Sequence, residues 1–182
     1  MMSVVSAWQL DLGSGLWAAV GEREMIHLMS DPPALFEIPH SPSYCRRVFV
    51  WQGRILPLMD LPLRLLGQHS LSQGLLAVVA FQKYPEATIR HGALLLDSPP
   101  VRIRVEDSQA CDLPESPSGW RHLAIACFEQ AQQGPVPILD LSRVFLLPPA
   151  SASGTKLTDA DQPDSLSVQE TLAMESRIDP KE

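Results

Sequence analysis

Positive charge is scarce in this chain. Fourteen Lys and Arg stand against 21 Asp and Glu, for a formal charge of −7, so a partner that needs a cationic surface, nucleic acid above all, is disfavoured. Cysteine is scarcer still. Cys45, Cys111 and Cys127 are odd in number and widely spaced, with no CxxC pair and no His at a ligand interval, which argues against a zinc site or a disulfide framework. No Lys or Arg precedes Arg23, and the apolar N-terminal stretch is broken at Gln9, Asp11 and Gly13. Neither the basic start nor the unbroken apolar run of a signal peptide is therefore present. The longest purely apolar run, residues 75–81, is far too short for a membrane span. The expectation is a cytoplasmic protein with reduced thiols and no membrane insertion.

Proline is what the chain has in excess. Its 17 prolines are about twice the usual share, and because a helix interior loses a hydrogen bond at each Pro, they cut the chain into short pieces and exclude long helical bundles. With 45% hydrophobic residues, the length suits one ordinary core that needs neither disulfide nor metal. Composition turns at Pro148-Pro149. The last aromatic is Phe145, and residues 148–182 carry seven acids and three bases among Ser, Thr and Ala. They read as an acidic, largely disordered tail. Within it, Ser167 and Glu170 resemble a capping box ahead of Leu172 and Met174, enough for one marginal short helix.

Residues 1–147 read as mostly β, in short strands at 4–10, 16–20, 48–51, 54–59, 74–81, 92–97, 101–105, 122–128 and 136–139, separated by Pro, Gly, Ser and Asp punctuation. Strict alternation over Val101-Arg102-Ile103-Arg104-Val105 predicts one dry and one wet face. The unbroken apolar run at 75–81 predicts a strand buried on both sides or lying at a subdomain junction. A repeat carries more. Pro57-Leu58-Met59-Asp60-Leu61 followed by Arg64-Leu65-Leu66 returns as Pro137-Ile138-Leu139-Asp140-Leu141 followed by Val144-Phe145-Leu146, which implies two similar lobes. In each copy the Asp follows an apolar strand and precedes a Leu-x-x-apolar pattern, so Asp60 and Asp140 are expected as structural helix N-caps. A strand Pro cannot donate to a ladder, which places Pro57 and Pro137 at an edge or bulge, as small twisted barrels allow. Two small β-barrels with short helical turns follow, lobe 1 at about 1–67 and lobe 2 at about 68–147, with exchange of strands between them allowed.

The run Pro42-Ser43-Tyr44-Cys45-Arg46-Arg47-Val48-Phe49-Val50-Trp51-Gln52-Gly53-Arg54-Ile55-Leu56-Pro57-Leu58-Met59-Asp60-Leu61 resembles the signature of the CheW-like domains. There an aromatic precedes Gly-Val, an Asn-Leu-Arg-Gly turn follows, and a Pro leads through two aliphatics to Asp-Leu. Ile26 and Met29 resemble the family's earlier apolar element, Ile38-Pro39 its approach to the signature, residues 92–97 a later Gly-led strand ending in Asp, and residues 136–140 its closing strand. The sequence departs from the pattern with Arg47 for Gly, Val50 for Asn, Gln52 for Arg and Leu28 for Glu. A Gly at position 47 would serve a positive φ or a close backbone approach, which Arg47 supplies less readily. Gln52 offers a neutral hydrogen bond in place of a guanidinium fork.

The resemblance implies two SH3-like barrels and a non-catalytic adaptor. It would couple the cytoplasmic tip of a methyl-accepting chemoreceptor to a CheA-type histidine kinase, or act in a divergent type IV pilus pathway with altered partners. By the same resemblance a groove between the barrels takes an amphipathic receptor helix, with Ile26, Val48, Ile55 and Trp51 as groove candidates, and Arg47, Gln52 and Arg54 rim a kinase interface. Read without it, Trp51 and Ile55 fit ordinary barrel core, and Arg46, Arg47 and Arg54 fit a solvated face. Two other classes stand beside the adaptor. An enzyme would use Cys45, His40 and Asp60 as nucleophile, base and orienter, yet no glycine-rich turn surrounds Cys45. A small-barrel nucleic-acid module would use Arg102 and Arg104, against the acidic balance and without an aromatic ladder. The histidines at 27, 40, 69, 91 and 122 show no HxH or HxxxH interval, and neither metal nor cofactor is expected.

Overall fold

A computed structural model describes residues 4–69 and 74–146. The chain opens with a hairpin of β1 (Val4–Gly13) and β2 (Leu16–Gly21), then passes to β3 (Met25–Met29), the short β4 (Phe36–Glu37), and a second hairpin of β5 (Arg47–Trp51) and β6 (Arg54–Met59). One turn of helix, α1 (Leu61–Leu66), leads on to β7 (Leu75–Phe81), β8 (Arg90–Leu96) and β9 (Val101–Glu106). Then α2 (Trp120–Leu123), β10 (Ala124–Gln130), β11 (Gly134–Leu139) and α3 (Leu141–Phe145) follow. The tail read as disordered, with its Ser167–Glu170 box, lies outside the described residues.

Two sheets result. The central sheet runs β3-β7-β8-β6-β5-β4 and the terminal sheet β10-β11-β2-β1-β9. They do not divide the chain at 67/68, because the first hairpin leaves its sequence neighbours. β2 lies parallel to β11 through Ile138 and Ala19, and β1 lies antiparallel to β9. A sequential division would leave β10 and β11 as a bare hairpin, which is marginal in water. Set side by side, β5-β6-β8-β7-β3 matches β10-β11-β2-β1-β9 strand for strand, so the terminal sheet is the same unit with its last two strands supplied from the start of the chain. The repeat in sequence marks the corresponding points. Arg64 Nη1 donates to the carbonyl of Val144 at 2.7 Å, joining equivalent positions of the two copies.

Three buried clusters pack among the described residues. Phe49, Leu56, Leu58, Leu76, Val78, Ala93 and Leu95 line the inside of the central sheet. Ala7, Ala19, Val105, Phe128 and Val136 line the inside of the terminal one. The largest lies between the sheets and includes Leu10, Leu12, Val20, Met59, Leu61, Val79, Leu94 and Leu139. β7 is buried on both faces, Leu76 and Val78 to one cluster and Ala77, Val79 and Phe81 to the other, which is why its sequence does not alternate. At about 1.5–3 kcal/mol for each large side chain withdrawn from water, the seam between the sheets holds them as one folding unit.

Neither β3 nor β4 stands out in the sequence. β3 carries a register shift between Met25 and His27 that breaks its alternation, and β4 has two residues. Residues 122 and 123, which read as the start of a strand, belong to α2, and the strand begins at Ala124.

Candidate docking site

The β5–β6 hairpin closes through Gln52 (φ 49°) and Gly53 (φ 73°). Two consecutive positive φ values make a type I′ turn whose twist suits the flanking strands, and Gly53 takes its conformation without the steric cost that a Cβ brings. This turn fixes the register Phe49↔Leu56, Val50↔Ile55 and Trp51↔Arg54. Phe49 and Leu56 point into the core. Val50 and Ile55, one residue along on each strand, therefore point out together, 55% and 71% exposed. Phe36, 56% exposed, stands across from Val48 on the neighbouring strand. These three side chains form an apolar outer strip on the central sheet.

The predicted groove residues do not share one cleft. Ile55 is exposed, so the core reading fails for it. Ile26 is also exposed, on β3, with β7 and β8 between its strand and that of Ile55 in the sheet order. Val48, two residues before Val50 on the same face of β5, is buried beside Phe36. Trp51 is half-buried against the central cluster, with the rings of His27 and His91 centred 6.3 and 6.0 Å away, so it closes one end of the sheet's interior rather than standing free. Between the two sheets lies the buried seam cluster. A cavity of about 490 Å³ does lie among the short helices, lined by Leu65, Leu123 and Leu146 with Arg64, His122 and Arg143, and none of the four groove candidates lines it.

Of the predicted rim, Gln52 is exposed at the turn tip, and Arg54 is exposed with Nη1 3.3 Å from His91 Nδ1. Arg47 lies in extended β5 without positive φ. The departure from Gly therefore strains nothing, and its guanidinium turns 3.9 Å from Asp60. Asp60 is 2% exposed. Its Oδ1 accepts the Leu63 N–H at 2.9 Å and its Oδ2 lies 3.2 Å from His69 Nδ1. Asp140 accepts from the N–H groups of Ser142 and Arg143 and from the Ser142 hydroxyl, with Arg143 Nε 3.1 Å from Oδ2. Arg64 lies over the Tyr44 ring at 5.1 Å, and burial draws its pKa below the usual guanidinium value.

The arrangement offers surfaces rather than reactive groups. Cys45, the nucleophile of the enzyme reading, is buried, and that burial pushes its thiol pKa up, away from the thiolate a nucleophile needs. Asp60 is committed to its cap. No cluster of three or more metal-ligating side chains occurs among the described residues, and no helix there is long and apolar enough to cross a membrane. Arg102, of the nucleic-acid reading, is paired with Glu22. Val50 entered the sequence reading only as a departure from Asn. The signal that would have found the strip was the Gln52-Gly53 turn, which places residue 50 opposite residue 55 and sends both outward.

Two related sheets joined by an apolar seam, with an exposed hydrophobic strip on one of them, define a binding domain. The chain belongs to the family of CheW-like domains, whose model matches residues 23–148. Those domains are non-catalytic scaffolds, and the family match supports a scaffold-like role in general terms. Among solved structures, its fold is similar to that of the scaffolding protein TtCheW from Thermoanaerobacter tengcongensis. The TM-score is 0.62 at 13% identity, over 80% of this chain and 94% of that one. No curated protein matches the sequence.

Proposed function

We propose that the chain is a cytoplasmic scaffold in chemotaxis-type signalling, built of two SH3-like barrels, that joins the cytoplasmic tip of a methyl-accepting chemoreceptor to a CheA-type histidine kinase. The observation that carries this reading is the exposed cross-strand pair Val50–Ile55. Unpartnered apolar side chains on a rigid hairpin suit the apolar face of an amphipathic helix, which is what a receptor hairpin tip presents. Ile26 adds a further exposed aliphatic on β3, while Val48 acts from beside Phe36, buried on the same face. Gln52 and Arg54, at the turn of the same hairpin, are the contacts proposed for the kinase. Arg47 contributes there only through its hold on Asp60.

The test is co-elution of the purified chain with a receptor cytoplasmic fragment and with the kinase. Ile55→Asp places a carboxylate where an apolar contact should form, so an unpaired charge is desolvated on binding. The variant should stay folded, because the side chain is 71% exposed, and should lose receptor capture. Equal capture by a folded Ile55→Asp variant would show that the receptor binds elsewhere.

A further inference from the structure

Beyond β9 the chain returns to the terminal sheet. Ala110 forms an isolated antiparallel bridge with Phe128, and the Cys111 N–H donates to the Cys127 carbonyl at 3.1 Å. One step along from the bridge, Cys111 therefore stands opposite Cys127. Residues opposed across antiparallel strands hold their Cα atoms about 4.5–5.5 Å apart, inside the roughly 4.4–6.8 Å span that a disulfide needs. The matching slot of the central sheet is Phe36 across from Val48, so where one sheet meets its flanking segment with hydrocarbon, the other does so with two thiols. Wide spacing in sequence had hidden this pair.

We propose that Cys111 and Cys127 form a reversible cross-strand disulfide that clamps this closing segment onto β10, made by thiol–disulfide exchange with a small disulfide of the glutathione class. Cys111 is half-buried and Cys127 buried, so Cys111 is the thiol an oxidant reaches. Burial and the neighbouring Cys111 push the Cys127 thiol up to about 12, which keeps Cys127 protonated while Cys111 attacks. The Cys111 thiolate attacks one sulfur of the small disulfide and expels one small thiolate, leaving a mixed disulfide. Cys127 then gives its proton to that thiolate, or to water, and attacks the Cys111 sulfur, expelling the second small thiolate. Two protein thiols are oxidised and one small disulfide is reduced to two thiols.

The test uses the full chain equilibrated with oxidised glutathione, then denatured and alkylated. Wild type should lose two hydrogens and accept one alkyl group in place of three, on Cys45, with a single cross-linked peptide joining positions 111 and 127. Cys45→Ser should leave the cross-link intact, and Cys111→Ser and Cys127→Ser should each abolish it. On the native protein, amide exchange at Ala110, Cys111 and Phe128 should slow at least tenfold on oxidation. Retention of three alkylatable thiols, accumulation of glutathione on Cys111 without the internal bond, or a cross-link to Cys45 would each overturn the proposal.

Discussion

The central and terminal sheets are copies whose insides agree and whose outsides do not. Phe49 across from Leu56 corresponds to Phe128 across from Val136, and all four are buried. One residue further out, the central sheet presents Val50 across from Ile55, while the terminal sheet presents Glu129 across from Pro135. Inward slots answer to packing, which tolerates only apolar side chains of matching volume. Outward slots are released from that constraint, and here they have diverged, one to an apolar strip and the other to a charge. That difference is why the docking role is proposed for the central hairpin.

Copying the terminal sheet's choice into the central one is the sharpest way to break this comparison. Val50→Glu should lower receptor affinity about 30-fold or more, the loss expected when a central apolar contact worth at least ~2 kcal/mol is removed. Stability, followed by urea unfolding, should move by no more than about 0.5 kcal/mol because the site is exposed. The converse change, Glu129→Val, should leave capture as it was. Weakened binding by Glu129→Val with intact binding by Val50→Glu would transfer the role to the other sheet.

A second asymmetry lies at the seam. The parallel registers Leu58↔Ala93 and Ile138↔Ala19 make Gly92 the counterpart of Ala18. Ala18 is fully buried with its methyl accommodated, whereas a Cβ on Gly92 would come within 2.4 Å of the Phe145 ring. That ring is stacked on Phe81 with centroids 5.0 Å apart, so it has little freedom to give way. Gly92→Ala should cost about 1–3 kcal/mol in urea unfolding, and Ala18→Gly about 1–2 kcal/mol through strand entropy and the lost burial of its methyl.

Much of this architecture was legible in the residues because it rests on local chemistry. The eighty-residue echo of Pro57-to-Leu66 announced two copies, the Asp of each echo stood where a helix needs an acceptor, and the unbroken run at 75–81 announced a strand without a wet face. What stayed hidden depends on partners distant in sequence. Nothing within residues 4–21 says that β1 and β2 join β9 and β11, since a hairpin's own pattern is the same whichever sheet it completes. Trp51 gave no sign that His27 and His91 would enclose it. Cys111 and Cys127 read as unrelated until a bridge at Ala110 set them face to face. The strip at Val50 and Ile55 lay between these cases, because a two-residue turn fixes cross-strand pairing but not which pair finds water.

The two caps permit a finer distinction. Asp60 is 2% exposed and holds Leu63, His69 and Arg47, whereas Asp140 is shallower and shares its acceptors with Ser142 and Arg143. Asp140→Ala should cost about 1 kcal/mol, the usual worth of an N-cap. Asp60→Ala should cost about 1–2 kcal/mol beyond that, because the Leu63 N–H loses its acceptor in a buried setting and Arg47 loses its counter-charge. Equal losses in urea unfolding would mean that the bonds to Arg47 and His69 add nothing.

The smallest expected effect sits where the chain crosses from one sheet to the other. Glu24, between β2 and β3, accepts the Gly21 N–H with its carboxylate at 2.6 Å, and its own carbonyl accepts from Ala80. Burial raises its pKa above the ordinary carboxylate value, and the negative charge of Asp140 adds to the rise against the lowering effect of the Gly21 bond. The folded protein thus holds this proton more tightly than the unfolded chain does, so stability declines as pH rises from the ordinary carboxylate range through the raised folded value. Glu24→Gln keeps an oxygen for Gly21 and removes the charge. It should stabilise the domain at pH 7, with the gain shrinking to nothing as the medium is acidified below the ordinary carboxylate range. In an Asp140→Asn background the gain at pH 7 should be smaller, since the repulsion across the joint between the sheets is already gone. An undiminished gain there would assign the whole shift to burial.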